Sequence, residues 1–596
     1  MSQRHRLPSG PGPRLGRRAF LAGGGVLAGG GLALLGPAFA AGASLEAPAL
    51  DRGDRIIPAE ARYGMVASRE ATATRVGVDV LAAGGNAIDA AVATAFALAV
   101  TLPQAGNLGG GGFLLVRPAD GSAPVALDFR ETAPGRAWRE LFIGPDGEVD
   151  KRLARYSHRS VGVPGSVAGY ADALARWGTW PLDRVIEPAI ALARDGFPMT
   201  RALARDIARS HERLSRWPQS KVVVARADGG AYLPGEIFRQ PDLANTLALI
   251  ARDGPDGFYR GPIAVAIADE MRRHDGLIDE GDLAEYRTVL REPVRGTYRG
   301  VEVVSMPPPS SGGALLIQML NVLEGWPIAE LGFGSAATLH RMAETMRRAY
   351  ADRFKHIADP AFHDVPLAGL VSKDYAASLR QGIDLQRATE SSALGPGEPK
   401  AYESDNTTHL SVMDRDGTAV ALTTTLNFAF GTGIVAEGTG IFLNNEMDDF
   451  AARPGAANAY GLVQGEENAV EAGKRPLSSM APTLVLDGPA TAIATGGQGG
   501  SRIITSVLQF LVNTIDHGMN LAEATLAPRI HHQWLPDELR IEEGFSPDTA
   551  ALLEAMGHRV VRRRSGATVQ NVRRVAEGYR GFADPRRPGG LAAGPD

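Results

Sequence analysis

The stretch from residue 403 to residue 427, ESDNTTHLSVMDRDGTAVALTTTLN, sets the expectation for the fold. Apolar and polar residues alternate over 408–413 and again over 418–425, a pattern typical of β-strands. The residues between them, 414–417, carry the Asp and Gly that favour a tight turn. The sequence therefore predicts a β-hairpin here.

The hairpin brings particular polar residues together. If its turn is centred on Asp416, Thr407 lies directly opposite Thr425, and a two-residue loop would move that partner by one position. In either case Thr425 and Asn427 arrive beside Thr407.

Thr407 carries the chemical question. A threonine inside a chain is a poor nucleophile, because its hydroxyl needs an adjacent base. An N-terminal threonine has its own α-amine, with an unperturbed pKa of about 7.7 to 8, held next to the hydroxyl. Cleavage between Asn406 and Thr407 would thus create a catalyst, and the same hydroxyl can make that cut by attacking the carbonyl of Asn406. From these residues alone, two threonines that simply open a strand remain the commoner explanation.

Composition bounds the rest of the chain. It has 596 residues, 44% of them hydrophobic and 22% charged, as expected for a large globular protein. There is no cysteine, which excludes disulfides, thiol nucleophiles and cysteine metal sites.

The first forty residues are typical of a twin-arginine export signal. Arg17 and Arg18 precede a glycine-rich apolar run, and the residues before Ala40 fit a signal-peptidase site. The run is too weakly apolar for a stable membrane anchor. Removal of residues 1–40 takes away five arginines and no acids, so the formal charge changes from −5 to −10, which argues against a nucleic-acid partner. We expect a periplasmic protein, with an extracellular one as the alternative.

Apolar helices alternate with strands along the chain, which predicts a layered α/β architecture. A helix from Ala71 to Ala83 ends at a Gly pair, and a nearly all-apolar helix over 87–101 is expected to be buried. Segment 453–468 is loop-like and is expected to cover a site. Further helices are predicted at 166–176, 181–195, 240–252, 262–273, 335–356 and 501–516, and further strands near 299–306 and 483–487.

Longer motifs suggest a family. The run DNTTHLSVMDRDGTAVALTTTLNFAFGTGIVAEGTGIFLNNEMDDF, together with DFRETAP, MPPPSSGG, RRAYADR, KRPLSSMAPT and GGQGGSRI, closely resembles the γ-glutamyltransferases. That family belongs to the self-cleaving N-terminal-nucleophile hydrolases. The resemblance implies an α+β, four-layer αββα fold. It also implies a large subunit, 41–406, and a small catalytic subunit, 407–596, which pair as a heterodimer and together form one domain.

The resemblance also implies a pocket for a γ-glutamyl donor, which carries an α-carboxylate, an α-ammonium and a γ-amide. Arg130 of DFRE can hold the α-carboxylate with two N–H groups. The other binding residues implied are Ser478 and Ser479 for the α-carboxylate, Glu446 and Asp449 for the α-ammonium, and Asn427 for the amino-acid head.

The resemblance assigns the reaction to four residues. Thr407 is the nucleophile, and Thr425 orients its hydroxyl. Gly499 and Gly500 precede an apolar helix, so their N–H groups can stabilise an oxyanion. Related proteins more often have Pro where this chain has Gln498.

The expected activity is γ-glutamyl transfer and glutathione hydrolysis, with water, amino acids or peptides as acceptors. No cofactor is expected, and His531, His532, His356 and His363 show no convincing metal-ligand pattern. The alternatives are a cephalosporin or glutaryl acylase on the same scaffold and a non-catalytic exported binding protein.

Overall fold

The predicted hairpin lies at the centre of an antiparallel sheet. In the computed structural model its strands span Thr407–Asp414 and Ala419–Thr425. Thr407 pairs with Thr425, so the predicted register is confirmed. Asp414 fixes the turn, because its Oδ1 accepts three backbone N–H groups of the turn at 2.9 to 3.1 Å.

Some predicted features lie outside the described residues. These include the leader of residues 1–40, Asn406 and part of segment 453–468. In the part of the chain that is described, no helix is both long and apolar enough to span a membrane. The structure describes residues 56–226, 228–394, 407–453, 455, 462, 464–564 and 566–596.

The strands are short and almost all antiparallel. In chain order they are β1 Ala59–Ala61, β2 Gly64–Ser68, β3 Gly111–Arg117, β4 Val125–Phe129, β5 Phe197–Pro198, β6 Ile237–Phe238, β7 Val289–Arg291, β8 Val294–Tyr298, β9 Val301–Ser305, β10 Thr407–Asp414, β11 Ala419–Thr425, β12 Thr483–Asp487, β13 Ala490–Thr495, β14 Gly497–Gln498, β15 Ile530–His531, β16 Leu539–Ile541, β17 Val560–Arg562, β18 Thr568–Val575, β19 Gly578–Ala583 and β20 Leu591–Ala593.

Two sheets stack face to face. The first has the strand order β20-β2-β10-β11-β3-β4-β7, and the second has the order β1-β19-β18-β13-β12-β9-β8 with β14 beside β18. The hairpin β10-β11 contacts β13 and β18 across the gap. Met65, Phe113, Leu115 and Met413 belong to the core between the sheets. Because side chains alternate along β10, Thr407 and Met413 face this same inner layer.

The described chain also contains helices of 4 to 21 residues. They are α1 Ala71–Ala82, α2 Ala87–Thr101, α3 Lys151–Tyr156, α4 Ser166–Trp177, α5 Leu182–Asp195, α6 Arg201–Leu214, α7 Pro218–Val224, α8 Pro241–Asp253, α9 Asp256–Tyr259, α10 Pro262–Arg273, α11 Glu280–Glu285, α12 Gly312–Glu324, α13 Ile328–Leu331, α14 Ala336–His356, α15 Leu367–Leu370, α16 Lys373–Gln381, α17 Arg502–Ile515, α18 Leu521–Leu526 and α19 Pro547–Ala555.

The helices cover the outer faces of both sheets. Helices α2 and α4 pack on the first sheet, and α12 and α17 pack on the second. Every residue of α2 is buried, as its apolar sequence predicts. The four layers follow the order α, β, β, α, so the predicted αββα fold is confirmed.

One core helix escaped prediction. Residues Gly312–Glu324 form α12, in which all but the last residue are buried. In its run GGALLIQMLNVLE only Gln318, Asn321 and Glu324 are polar, and so short and apolar a run is as consistent with a buried strand as with a buried helix.

Candidate active site

The Thr407 hydroxyl lies at the open end of the β10–β11 hairpin, opposite its turn and between the two sheets. Its Oγ1 is 3.4 Å from Oγ1 of Thr425 across the ladder. The Thr425 oxygen accepts the backbone N–H of Asn427 at 2.8 Å. The side-chain amide of Asn427 donates to the carbonyl of Asn445 at 3.0 Å, which fixes the chain leaving β11. Thr425 is therefore positioned to orient the Thr407 hydroxyl.

His409 is the imidazole two residues along the same face of β10. Its Nδ1 is 2.8 Å from the Thr423 hydroxyl, and its Nε2 is 3.0 Å from the Ser411 hydroxyl. Burial lowers the pKa of His409 to about 3, so the ring is neutral and a weak base near pH 7. The structure thus assigns His409 to the packing of the hairpin and leaves the proton transfer to another group.

Arg130, which follows β4, is joined to two of the predicted acidic residues. Its guanidinium donates to Asp449 Oδ2 at 2.7 Å and also to Glu446. Both acids lie on the short 3-10 helix Glu446–Asp449, and all three side chains are buried. Arg130 is expected to bind the carboxylate of a donor, and Glu446 and Asp449 its ammonium, but here the arginine pairs with the two acids. A zwitterionic donor would replace these pairs, with its carboxylate on the arginine and its ammonium on the acids.

The guanidinium of Arg130 faces three carboxyl groups, those of Glu131, Glu446 and Asp449. Glu131 is fully buried, and neither of its oxygens is hydrogen-bonded within the described structure, although one lies 3.5 Å from Arg130. Burial raises the pKa of Glu131 to about 7, against the opposing effect of Arg130. Burial also raises the pKa values of Glu446 and Asp449. An arriving ammonium group would favour the ionised form of all three carboxyl groups.

Sequence reasoning missed a second cation, Arg353 of α14. It is buried, and it donates to Ser311 Oγ at 2.9 Å and to Ser479 Oγ at 3.4 Å. One terminal nitrogen, Nη1, is not hydrogen-bonded within the described structure. Burial lowers the pKa of Arg353 to about 10, which leaves it charged at neutral pH. Its motif RRAYADR is visible in the sequence, but a single sequence does not show which arginine of a long helix points inward.

Backbone hydrogen bonds hold Ser478, the first of the two predicted serines, in place. Ser478 N–H donates to the Pro309 carbonyl at 2.8 Å, and the Ser478 carbonyl accepts the Ser311 N–H at 2.9 Å. Ser478 Oγ also accepts the Met480 N–H at 3.1 Å. The loop before β12 is thereby fixed to the loop before α12.

Gly499 and Gly500 occupy the turn between β14 and α17. Their φ angles are 132° and 58°, in the region that favours glycine. A Cβ on Gly499 would lie 2.6 Å from the Cβ of Ala567, so the close packing also requires glycine. Gln498 pairs with Thr568 in the ladder between β14 and β18, which anchors the turn.

One pocket brings most of the predicted residues together. Asn427 and Gly499 are not in its wall but adjoin residues that are. Leu462, from the segment expected to cover the site, also lines it. The predicted residues in the wall are Arg130, Thr407, Thr425, Glu446, Asp449, Ser478, Ser479 and Gly500, and Arg353 joins them.

Comparison with known proteins identifies the family. The model of the family described as gamma-glutamyltranspeptidase matches residues 73–594. This chain belongs to the γ-glutamyltranspeptidase family. It is 51% identical, over 566 residues, to the glutathione hydrolase proenzyme of Escherichia coli strain K12, an alignment that covers 94% of this chain and 97% of that protein.

Solved structures agree with this assignment. The cephalosporin acylase of Bacillus halodurans superposes with a TM-score of 0.79 at 28% identity, over 93% of this chain and all of that one. The γ-glutamyltranspeptidase of Helicobacter pylori gives a TM-score of 0.54 at 43% identity, over 55% of this chain and 93% of the other. The αββα layers are therefore those of the N-terminal-nucleophile hydrolases.

Proposed function

We propose that this member of the γ-glutamyltranspeptidase family is a self-processing γ-glutamyltransferase and glutathione hydrolase with Thr407 as its nucleophile. The observation that carries the proposal is the pocket that joins the Thr407 hydroxyl to two buried guanidinium groups, those of Arg130 and Arg353, and to the buried carboxyl groups of Glu446 and Asp449. A γ-glutamyl donor has one reacting amide and one zwitterionic head. The pocket offers a partner for each.

The donor's head is bound by charge. Arg130 and Arg353 attract its α-carboxylate, and Ser478 and Ser479 add hydroxyl donors. Glu446 and Asp449 accept from its α-ammonium, with Asn427 beside them. These contacts hold the γ-carbonyl near the Thr407 hydroxyl, which replaces a bimolecular encounter by a reaction within one complex.

The reaction then follows from Thr407 as a chain terminus. Its α-amine takes the hydroxyl proton as Oγ1 attacks the γ-carbonyl carbon, and the N–H groups of Gly499 and Gly500 stabilise the oxyanion. The amine returns the proton to the departing amine, which leaves a γ-glutamyl ester on Thr407. Water or an acceptor amine repeats the sequence and frees the enzyme. Because His409 is neutral and engaged at both nitrogens, the α-amine is the base beside this hydroxyl.

Processing between Asn406 and Thr407 is part of the proposal. The relatives named as proenzymes support it, and so does a Helicobacter pylori chain that aligns over 93% of its own length yet covers 55% of this one. The fragments 41–406 and 407–596 would remain together as a heterodimer, because β10 and β11 of the small fragment pair with β2 and β3 of the large one. We also propose export to the periplasm, on the strength of the sequence of residues 1–40.

The acids of the same pocket distinguish the γ-glutamyl activity from the alternative acylase activity. A glutaryl or cephalosporin side chain has no α-ammonium, so Glu446 and Asp449 would be buried without a partner of opposite charge on such a substrate. The two acids therefore favour the γ-glutamyl donor. A comparison of hydrolysis of γ-glutamyl-p-nitroanilide and glutaryl-p-nitroanilide separates the two activities.

Replacement of Thr407 by Ala tests the proposal, and we expect it to abolish both processing and activity. On a denaturing gel, wild-type protein should give two bands near about 39 and 20 kDa, from a mean of about 105 Da per residue (62.8 kDa over 596 residues). Thr407→Ala should give one band. Thr408→Ala is the matched control, because Thr408 lies next to Thr407 but on the opposite face of β10, so it should process normally.

N-terminal sequencing of the small band should begin Thr-Thr-His-Leu. An active wild-type protein that stays in one piece would rule the proposal out, and an inert one would favour the non-catalytic binding protein.

A further inference from the structure

Three side chains outside the pocket wall meet in a pattern that suits a metal ion. His158 precedes α4 in a 3-10 turn, Glu270 lies on α10, and His274 caps that helix. His158 Nε2 is 2.9 Å from Glu270 Oε1, and His274 Nε2 is 3.6 Å from the same oxygen. One ligand atom from each residue lies within 4.8 Å of the others.

We propose that His158, Glu270 and His274 form a binding site for a divalent transition-metal ion of the Zn²⁺ class. Two imidazoles and one carboxylate are a ligand set that Zn²⁺ commonly adopts, with solvent in the fourth position. Ligand distances of about 2.0 to 2.1 Å around a tetrahedral ion place ligand atoms roughly 3.3 Å apart. The two measured separations fall on either side of that value.

The surroundings allow an ion to enter and to be held. The His158 side chain is 2% exposed and fixed, whereas that of His274 is 44% exposed and can rotate toward an ion from solvent. Arg273 binds the other oxygen, Glu270 Oε2, at 3.0 Å and leaves Oε1 for the metal. Arg273 also pairs with Glu437 at 2.7 Å, which offsets part of its repulsion of a cation.

A second His-Glu-His group in the described structure shows why the first is chosen. His340, Glu344 and His558 also lie within reach of one another. However, Glu344 is paired with the guanidinium groups of Arg347 and Arg348, which would repel a cation. Both nitrogens of His340 are engaged, one with His558 and one with a backbone carbonyl. In this second group the carboxylate is therefore already bound by two cations, although Nδ1 of His558 is not hydrogen-bonded within the described structure.

The proposed metal site is connected to the pocket through a short path. The 3-10 turn that contains His158 packs against the 3-10 helix Glu446–Asp449. Just beyond that turn, the Gly162 N–H donates to Asn444 Oδ1 at 2.9 Å, and Asn444 Nδ2 donates back to the Gly162 carbonyl at 2.7 Å. An ion that pins His158 to α10 would therefore stiffen the segment that supports the carboxylates of the pocket.

Calorimetric titration of tag-free protein with Zn²⁺ tests the site. We expect one ion per chain, no comparable binding of Mg²⁺, and at least tenfold weaker Zn²⁺ binding in His274→Ala and in Glu270→Gln. His211→Ala is the matched control, since His211 is another exposed histidine on a helix and should bind like wild type. Wild-type protein that binds no Zn²⁺, or His274→Ala that binds it unchanged, would overturn the proposal.

Trp217 supplies an independent readout. Its indole ring lies 4.9 Å from the ring of His158 and 5.8 Å from that of His274. Co²⁺ in place of Zn²⁺ should quench the Trp217 contribution to fluorescence, and Trp217→Phe should remove this signal without removing Zn²⁺ binding. Quenching that survives in Trp217→Phe and in His274→Ala alike would place the ion elsewhere. The same titrations on unprocessed Thr407→Ala keep the result independent of the proposed enzymatic function.

Discussion

Two buried clusters of glutamate and arginine differ in how completely their carboxylates are hydrogen-bonded. In the cluster around Glu344, one oxygen accepts from Arg347 at 3.2 Å and from the Thr389 N–H at 3.1 Å, and the other accepts from Arg348 at 2.6 Å. In the cluster around Arg130, which lines the pocket, neither oxygen of Glu131 is hydrogen-bonded to a described residue.

The pKa values follow this difference. Burial alone would raise the pKa of Glu344, but its partners lower it overall, whereas burial raises that of Glu131 to about 7. Folding normally satisfies buried charges completely. A cluster left incomplete beside a pocket therefore indicates a place prepared for a charged ligand, and a complete one indicates a structural role.

The largest expected effect comes from Asp449→Asn in the incomplete cluster. Loss of this charge removes a partner of the donor's ammonium, so kcat/KM for γ-glutamyl-p-nitroanilide should fall by about 100-fold or more. Hydrolysis of glutaryl-p-nitroanilide, which has no ammonium, should change by less than about threefold. The measurement is the ratio of the two kcat/KM values.

Asp537→Asn is the corresponding change in the complete cluster. Asp537 pairs with Arg347, away from the pocket, and should affect stability without changing the ratio of the two activities. If Asp449→Asn lowers kcat/KM equally for both donors, Asp449 supports the structure of the pocket and does not bind the ammonium group.

The hairpin and the buried helix α2 were predictable from sequence, because patterns among neighbouring residues determine both. Alternation and turn residues determine the β10–β11 register, so Thr407 opposite Thr425 required no tertiary information. The apolar run of α2 predicted its burial in the same way. The family resemblance added the individual residues of the pocket wall.

The rest depends on contacts between distant parts of the chain. The pairing of Arg130 with Asp449 joins residues 319 positions apart, and nothing near either one indicates it. The proposed metal ligands His158 and Glu270 are separated by 112 positions. Such juxtapositions are set by packing of the layers, which no local pattern reveals.

A smaller effect is expected in the pH dependence of stability, where Glu131 and Glu344 should act in opposite directions. The folded pKa of Glu131 lies above its unfolded value of about 4.5, so its burial costs more as pH rises from about 4.5 to about 7. Glu131→Gln should therefore gain thermal stability relative to wild type across that range, on the order of 1 kcal/mol or more, with no further gain above it.

Glu344→Gln should do the reverse. The lowered pKa of Glu344 means that its ion pairs stabilise the fold above its unfolded pKa and lose that contribution as pH falls through the folded value. The variant should be less stable than wild type by about 3 kcal/mol near pH 7, and this difference should shrink in acid. Melting temperatures of both variants from pH 4 to pH 8 give the comparison, and parallel curves for the two would contradict it.

The smallest effect separates two buried glutamines, Gln498 before the turn at Gly499 and Gly500 and Gln509 within α17. The side-chain amide of Gln509 is fully hydrogen-bonded. Its Nε2 donates to the carbonyls of Thr505 and Ile530, and its Oε1 accepts the Ile530 N–H at 2.8 Å. Gln498 is fully buried, but neither atom of its side-chain amide is hydrogen-bonded within the described structure. An unpaired buried amide costs free energy that an apolar side chain of similar shape does not. Gln498→Met should therefore raise the free energy of unfolding by about 1 kcal/mol, whereas Gln509→Met should lower it by about 1 to 3 kcal/mol. Differential scanning calorimetry of the two variants measures the sign. If both variants melt below wild type, the side-chain amide of Gln498 is hydrogen-bonded in solution, and that hydrogen bond stabilises the turn at Gly499 and Gly500.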